Sequence, residues 1–101
     1  MNLDMINQAR QLKSKLDKAQ KELAKTEIEV ESAKGAIKII VNGQQEIQSI
    51  KISPDIIDPK KPEQLEKLLL KAIQEAHQKS QKVAEKEMKG LTGGLKIPGL
   101  F

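Results

Sequence analysis

Seventeen lysines and one arginine, Arg10, supply the basic side chains of this 101-residue chain, against fourteen carboxylates. Ten of them recur at helical spacing in two stretches. Arg10, Lys13, Lys15, Lys18 and Lys21 lie in the first; Lys71, Lys79, Lys82, Lys86 and Lys89 lie in the second. Ammonium groups repeated along a rod can neutralise a line of negative charge, so the chemistry they offer is the grip of a polyanion. In the second stretch Lys71, Lys82 and Lys89 fall with Gln78 on one outward line, and Lys79 and Lys86 lie beside it. Lysine brings a point charge, and only Arg10 has the planar fork that reads an edge bidentately. Composition alone fits a lysine-rich solvated surface better than a binding site, so the case rests on what positions these residues.

Other chemistry is sparse. His77 is the single histidine and there is no cysteine. A metal site would have to be built from carboxylates alone, so none is expected, and His77 reads as packing or solvation. The run Gly90-Leu-Thr-Gly-Gly-Leu-Lys96 superficially looks like a phosphate loop. It lacks the glycine spacing and the Lys-Ser/Thr ending, and it follows a helix. Ser14, Ser32, Ser49, Ser53 and Ser80 have no motif around them, and most carboxylates sit on a solvated sheet face or beside lysines. Neither an enzyme nor a cofactor nor a small-molecule substrate is expected.

The elements that must hold the lysines are legible from periodicity. Met5, Ala9, Leu12, Leu16, Ala19 and Leu23 are spaced four, three, four, three, four, which predicts a helix over residues 1–25 (about Leu3 to Lys25) with a seam for a partner helix. From Thr26 the period switches to two: Ile28 and Val30, then Ile37, Ile39 and Val41, then Ile50 and Ile52. Residues 26–53 therefore read as a three-stranded antiparallel meander. Lys34-Gly35 suits the first turn, Gly accepting a positive φ at little cost, and Asn42-Gly43 the second. Ile47 is out of step with Ile50 and Ile52, which predicts a bulge or an outward apolar residue near Gln48-Ser49. Three prolines within residues 54–62 make 54–61 an ordered link with room for one short turn at Asp55–Asp58. A second helix is expected over 62–89, its buried stripe Leu65, Leu68, Leu69, Ala72, Ile73, Ala76, Ser80, Val83 and Ala84, with Gly90 its stop and 90–101 a flexible Gly-rich tail. Leu95, Ile97, Leu100 and Phe101 suit that tail for docking on the dimer or on a partner, or for staying disordered. The fold class is α+β, in the order α-β-β-β-α, in one domain.

Lengths and charges constrain the assembly. A 27-residue helix is ~40 Å long and a seven- or eight-residue strand ~25 Å, so the second helix must overhang the sheet and needs the first beside it. Three strands leave two open edges, and a homodimer with projecting helices is expected. Residues 1–25 carry six basic against three acidic groups, 26–59 three against six, and 60–101 nine against five. The helices are basic and the sheet acidic. The longest apolar run is three residues, far short of the ~20 a membrane span needs. With Asp4 near the start and no basic-then-apolar leader, a soluble cytoplasmic protein is the expectation.

Taken together, the chain resembles the YbaB/EbfC family of bacterial nucleoid-associated proteins over nearly its whole length. The resemblance is carried by the Gln/Lys-rich first helix and by Gly35 with the alternating run into Asn42-Gly43. Glu46 to Pro54, Leu65-Glu-Lys-Leu-Leu-Leu-Lys-Ala72 with Glu75-Ala76, and above all Gly93-Gly-Leu-Lys-Ile-Pro-Gly-Leu-Phe101 also match. It departs at the start, where many members carry a Gly/Met-rich leader and this chain enters its helix almost at once. The resemblance implies a tweezer-shaped homodimer that binds double-stranded DNA with little sequence preference in the nucleoid. About half of the ten basic candidates are then expected to touch phosphate. With seventeen of eighteen basic groups lysine, backbone contacts are favoured over base reading, and without aromatics among them stacking on single strands is disfavoured. Residue types alone leave open a helical protein-interaction adaptor and an RNA-binding dimer.

Overall fold

Alternation, turn chemistry and a heptad seam resolve into five elements in the computed structural model, which describes residues 3–92. They are α1 (Leu3–Lys25), β1 (Glu27–Ser32), β2 (Ile37–Asn42), β3 (Ile47–Ile52) and α2 (Pro62–Thr92). The strands pair antiparallel in the order β1-β2-β3, so the α+β meander between two long helices is the architecture observed. In β1 and β2 the expected parity holds. Ile28, Val30, Ile37, Ile39 and Val41 are buried and form one core with Ala72 and Ala76 of α2. Glu27, Glu29 and Glu31 stay on the exposed face.

The bulge falls where Ile47 placed it. Ile40 pairs with Ser49 and Val41 with Ile47, leaving Gln48 as the extra residue. This one-residue slip returns Ile47 to the core side, where it packs against the cluster. Ile50 has the same parity but lies 40% exposed, because α2 packs across β1 and β2 rather than over the β3 edge.

The turns differ from expectation in how they use glycine. Ala33, Lys34 and Gly35 all have positive φ, at 53°, 57° and 86°, and the hydrogen bond from Gly35 N to Ser32 O closes over Ala33 and Lys34 at 3.1 Å. Two non-glycine residues therefore take left-handed conformations for the sake of the strands' twist. Asn42-Gly43 is not a two-residue turn. The loop is closed by Asn42 N to Glu46 O at 3.0 Å, its left-handed residue is Gln45, and Gly43 has no positive φ. Gly43 is required by proximity instead: a Cβ there would lie 2.7 Å from Leu23 Cδ2 and 2.8 Å from Leu23 O.

That contact ties α1 to the sheet. Thr26 Oγ1 donates to Glu22 O at 2.8 Å, Gly43 N to Leu23 O at 2.8 Å, and Asn42 Nδ2 to Ala24 O at 3.1 Å. Carbonyls that a helix end leaves unpaired are satisfied by the β2–β3 loop. Asn42 also donates to Glu46 Oε1 and accepts from the amides of Gln44 and Glu46. Fully buried Ser80 of α2 donates to Asn42 O at 2.7 Å and accepts from Gln45 N at 3.0 Å. One loop therefore fixes both helices. Asn42→Ala removes four side-chain hydrogen bonds worth about 1 kcal/mol each, so a loss of roughly 2–3 kcal/mol is expected in urea unfolding at fixed protein concentration.

After β3, Ser53 caps a short 3-10 turn at Pro54–Ile56, one residue ahead of the position expected from sequence. α2 then runs through Gly90 to Thr92, so Gly90 does not stop it and Gly90–Thr92 belong to the helix. Glycine lowers helix propensity by about 1 kcal/mol relative to alanine. Leu91 packs on the α1–α2 cluster and offsets that loss. The expected tail beyond Thr92 lies outside the described residues.

Candidate functional site

Helix length against sheet width sets where the lysines stand. α2, with 31 residues, is ~46 Å long, and α1, with 23, is ~34 Å; six-residue strands span only ~20 Å. The far half of α2 leaves the sheet and meets α1. Met88 is buried with Ala19 and Leu23, and Leu16, Val83, Ala84 and Leu91 close around them. Val83 touches both this cluster and the sheet core, marking where α2 changes partner. The result is a rod projecting from a small β body, 68 × 22 × 17 Å overall.

All ten basic candidates are exposed, and the fold groups them unequally. Arg10, Lys13, Lys18 and Lys21 line one shallow trough along α1 with Ser14 and Asp17, on the face turned from the buried Ala19–Leu23 seam. Lys15 and Lys18 border a second groove with Ala19, Glu22, Glu87, Gly90 and Leu91. Lys86 borders a third with Val83, Glu87, Gly90 and Leu91. At the projecting end, Lys15 and Lys18 of α1 thus come near the Lys86 turn of α2. Lys82 and Lys89 stand on the same overhanging half of α2. Lys71 does not join them: fifteen residues before Lys86, it lies ~22 Å back along the helix, over the sheet. Lys79 is turned toward the sheet edge, its Nζ donating to Glu29 O of β1 at 3.0 Å on the exposed surface.

Charge is separated along the molecule. The rod carries eight of the ten basic candidates, while the outer face of β1 carries Glu27, Glu29 and Glu31, with Lys51 of β3 and its pairing partner Lys38 of β2 beside them; Lys38 Nζ is 3.9 Å from Glu31 Oε1. A pair this long and exposed contributes little to stability. His77 is exposed, and no group of three or more metal-ligating side chains occurs among the described residues. No described helix is long and apolar enough to cross a membrane. The residues that sequence reasoning missed are those that aim the rods. Asn42 reads as a turn residue and Ser80 as a small member of a stripe, and nothing in their spacing announces that they bond to each other.

Fold and surface define a class: a small α-β-β-β-α protein with an acidic sheet face and a basic two-helix rod, and no metal-binding cluster among its described residues. The chain belongs to the YbaB/EbfC DNA-binding family, which it matches over residues 1–95. It is 46% identical over 97 residues to a nucleoid-associated protein of Chloroflexus aurantiacus, covering 96% of this chain and 95% of that one. To a nucleoid-associated protein of Thermoanaerobacter pseudethanolicus it is 40% identical over 98 residues, with coverage of 97% and 88%. The fold is shared with the crystal structure of an uncharacterized protein from Helicobacter pylori, at a TM-score of 0.68 and 18% identity, covering 92% of this chain and 95% of that one.

Proposed function

We propose that this protein binds double-stranded DNA as a homodimer, through phosphate contacts from the lysines of its projecting rods, and acts in nucleoid organisation and gene expression in the cytoplasm. The observation that carries the reading is the basic α1–α2 rod held clear of an acidic sheet, in a chain of a DNA-binding family. Lysine heads on rigid helices can follow a phosphate line without reading bases, and the glutamates of β1 repel DNA from the body. Arg10 is the one residue able to fork onto a guanine edge, so sequence preference is expected to be slight.

Dimerisation is supported by the uncovered side of the sheet. Ile50, Ile57 and Leu70 are 40%, 47% and 59% exposed. Lys79 marks the β1 flank of α2; at 100° per residue, Ile73 and Leu70 fall on the opposite flank, toward the bare inner face of β3. A second copy seated there would cover these side chains and leave both rods projecting. Changing Ile50 and Leu70 together to glutamate is expected to shift the protein from dimer to monomer in analytical ultracentrifugation. A dimer of undiminished affinity would place the interface elsewhere.

Titration of unrelated duplexes at several salt concentrations tests the DNA reading. If the dimer neutralises about six phosphates, log affinity should fall against log salt with a slope near −5 for every duplex. Absence of binding at low salt would overturn it and favour a protein-interaction adaptor; preference for structured RNA would redirect it to that polyanion.

A further inference from the structure

Asn42-Gly43 is a pair whose own chemistry the fold holds in check. An asparagine followed by glycine can cyclise: the glycine nitrogen attacks the side-chain carbonyl carbon, and glycine, having no Cβ, leaves that nitrogen open to approach. Here both reacting groups are tied. Asn42 is 2% exposed. Its Nδ2 donates to Ala24 O at 3.1 Å and to Glu46 Oε1 at 2.9 Å. Its Oδ1 accepts from Gln44 N and Glu46 N, each at 2.9 Å, so both donors and both acceptor sites of the amide are used. Gly43 N donates to Leu23 O at 2.8 Å. The bonds to Leu23 O and Ala24 O end on the last turn of α1.

We propose that Asn42-Gly43 is a deamidation site gated by α1, released for conversion to aspartate and isoaspartate when the end of that helix lifts. Lifting removes the acceptor of the Gly43 N–H, one acceptor of Asn42 Nδ2 and the Leu23 side chain packed against Gly43, and it admits water. Hydroxide takes the Gly43 amide proton and the nitrogen bonds to Asn42 Cγ. The Cγ–Nδ2 bond breaks, and Nδ2 leaves as ammonia with a proton from water, which restores the hydroxide. Water then opens the resulting succinimide at either carbonyl, and nothing is oxidised or reduced. The change runs one way. A carboxylate at position 42 has no N–H to offer, so Ala24 O and Glu46 Oε1 lose their donor and face a negative oxygen. Isoaspartate also adds a methylene to the backbone of the loop, and α1 has no native seat to return to.

The test uses the full-length protein without DNA, so its outcome is independent of the binding function. The protein is incubated at mildly alkaline pH and the tryptic peptide Ile39–Lys51 is followed by mass spectrometry, with isoaspartate counted by enzymatic methylation. Conversion should run on the order of 100-fold slower in the native protein than in urea at the same pH, because the rate follows the opened population. Leu23→Ala should raise the native rate by about 10-fold or more. Thr26→Val, which deletes only the exposed bond from Thr26 Oγ1 to Glu22 O, should raise it by about fivefold, and it decides the matter if Leu23→Ala fails to fold. Asn42→Asp, the product made directly, should exchange the amide hydrogens of Thr26 and Gly43, both bonded to Leu23 O, about 10-fold faster than the parent or more. A native rate equal to that in urea, folded variants no faster than the parent, or parent-like exchange in Asn42→Asp would each overturn the proposal.

Discussion

Replacing Lys82, Lys86 and Lys89 together by glutamate is expected to weaken binding to every duplex alike while leaving the protein folded. The three lie on the half of α2 that has left the sheet, and all are exposed, so folding stability should change by no more than about 0.5 kcal/mol per site. The proposed homodimer loses six lysines; with about half of them touching phosphate, as expected for the basic candidates, three contacts at roughly 1 kcal/mol each correspond to a fall in affinity on the order of 100-fold. The salt slope should flatten by about one per contact removed. Lys71→Glu is the internal control, since that residue stands over the sheet and its reversal should have little effect. Circular dichroism checks the fold, and fluorescence anisotropy with two unrelated duplexes checks the affinity. Affinity unchanged in the triple variant would take the binding site off the rod.

Gly43→Ala should have the larger effect on stability. The added methyl meets Leu23 Cδ2 at 2.7 Å, Leu23 O at 2.8 Å and Leu23 Cβ at 2.9 Å. Leu23 is 2% exposed, and its carbonyl also accepts from Gly43 N at 2.8 Å and Thr26 N at 3.2 Å, so neither side can give way without losing hydrogen bonds. Overpacking of this kind costs about 1–3 kcal/mol, or on the order of 10 °C in Tm for a domain of this size. Since the methyl pushes on the root of α1, DNA affinity should also fall although no charge has changed. A melting temperature equal to that of the parent would mean that α1 is not held against the loop in this way.

How much could be read beforehand follows from how local each signal is. Alternation in Ile28–Val41 and the three/four spacing of Met5–Leu23 are local patterns, and they gave β1, β2 and α1 closely. The misfit of Ile47 foretold the bulge because parity along one strand is enough to reveal a slipped residue. Gly43 and Gly90 were misjudged because their roles are tertiary. One glycine is demanded by the approach of Leu23, twenty residues away in sequence; the other is carried through a helix by the packing of Leu91. The basic residues were visible as charges, but separating Lys79 and Lys71 from the lysines of the projecting end required knowing where α2 leaves the sheet. That crossing occurs at Val83, which in the sequence is one more apolar member of the stripe. The acceptor of Lys79, a backbone carbonyl of β1, carries no trace in residue types.

Because α1 is fastened to the sheet near Leu23 and runs clear of the sheet for most of its length, supported there by α2, it has the geometry of a lever with its fulcrum at the Gly43 loop. A rod ~34 Å long tilted by about 5° at its base swings its far end by about 3 Å, close to the ~3.4 Å rise from one phosphate to the next along a DNA strand. The lysines of α1 lie nearer the base, Lys13 about 15 Å from Leu23, so the same tilt moves their ammonium groups by only about 1 Å. Under the DNA-binding reading proposed above, small tilts at this fulcrum would tune the fit to differently curved duplexes by a fraction of a nucleotide step, with no need to rearrange the charged side chains themselves.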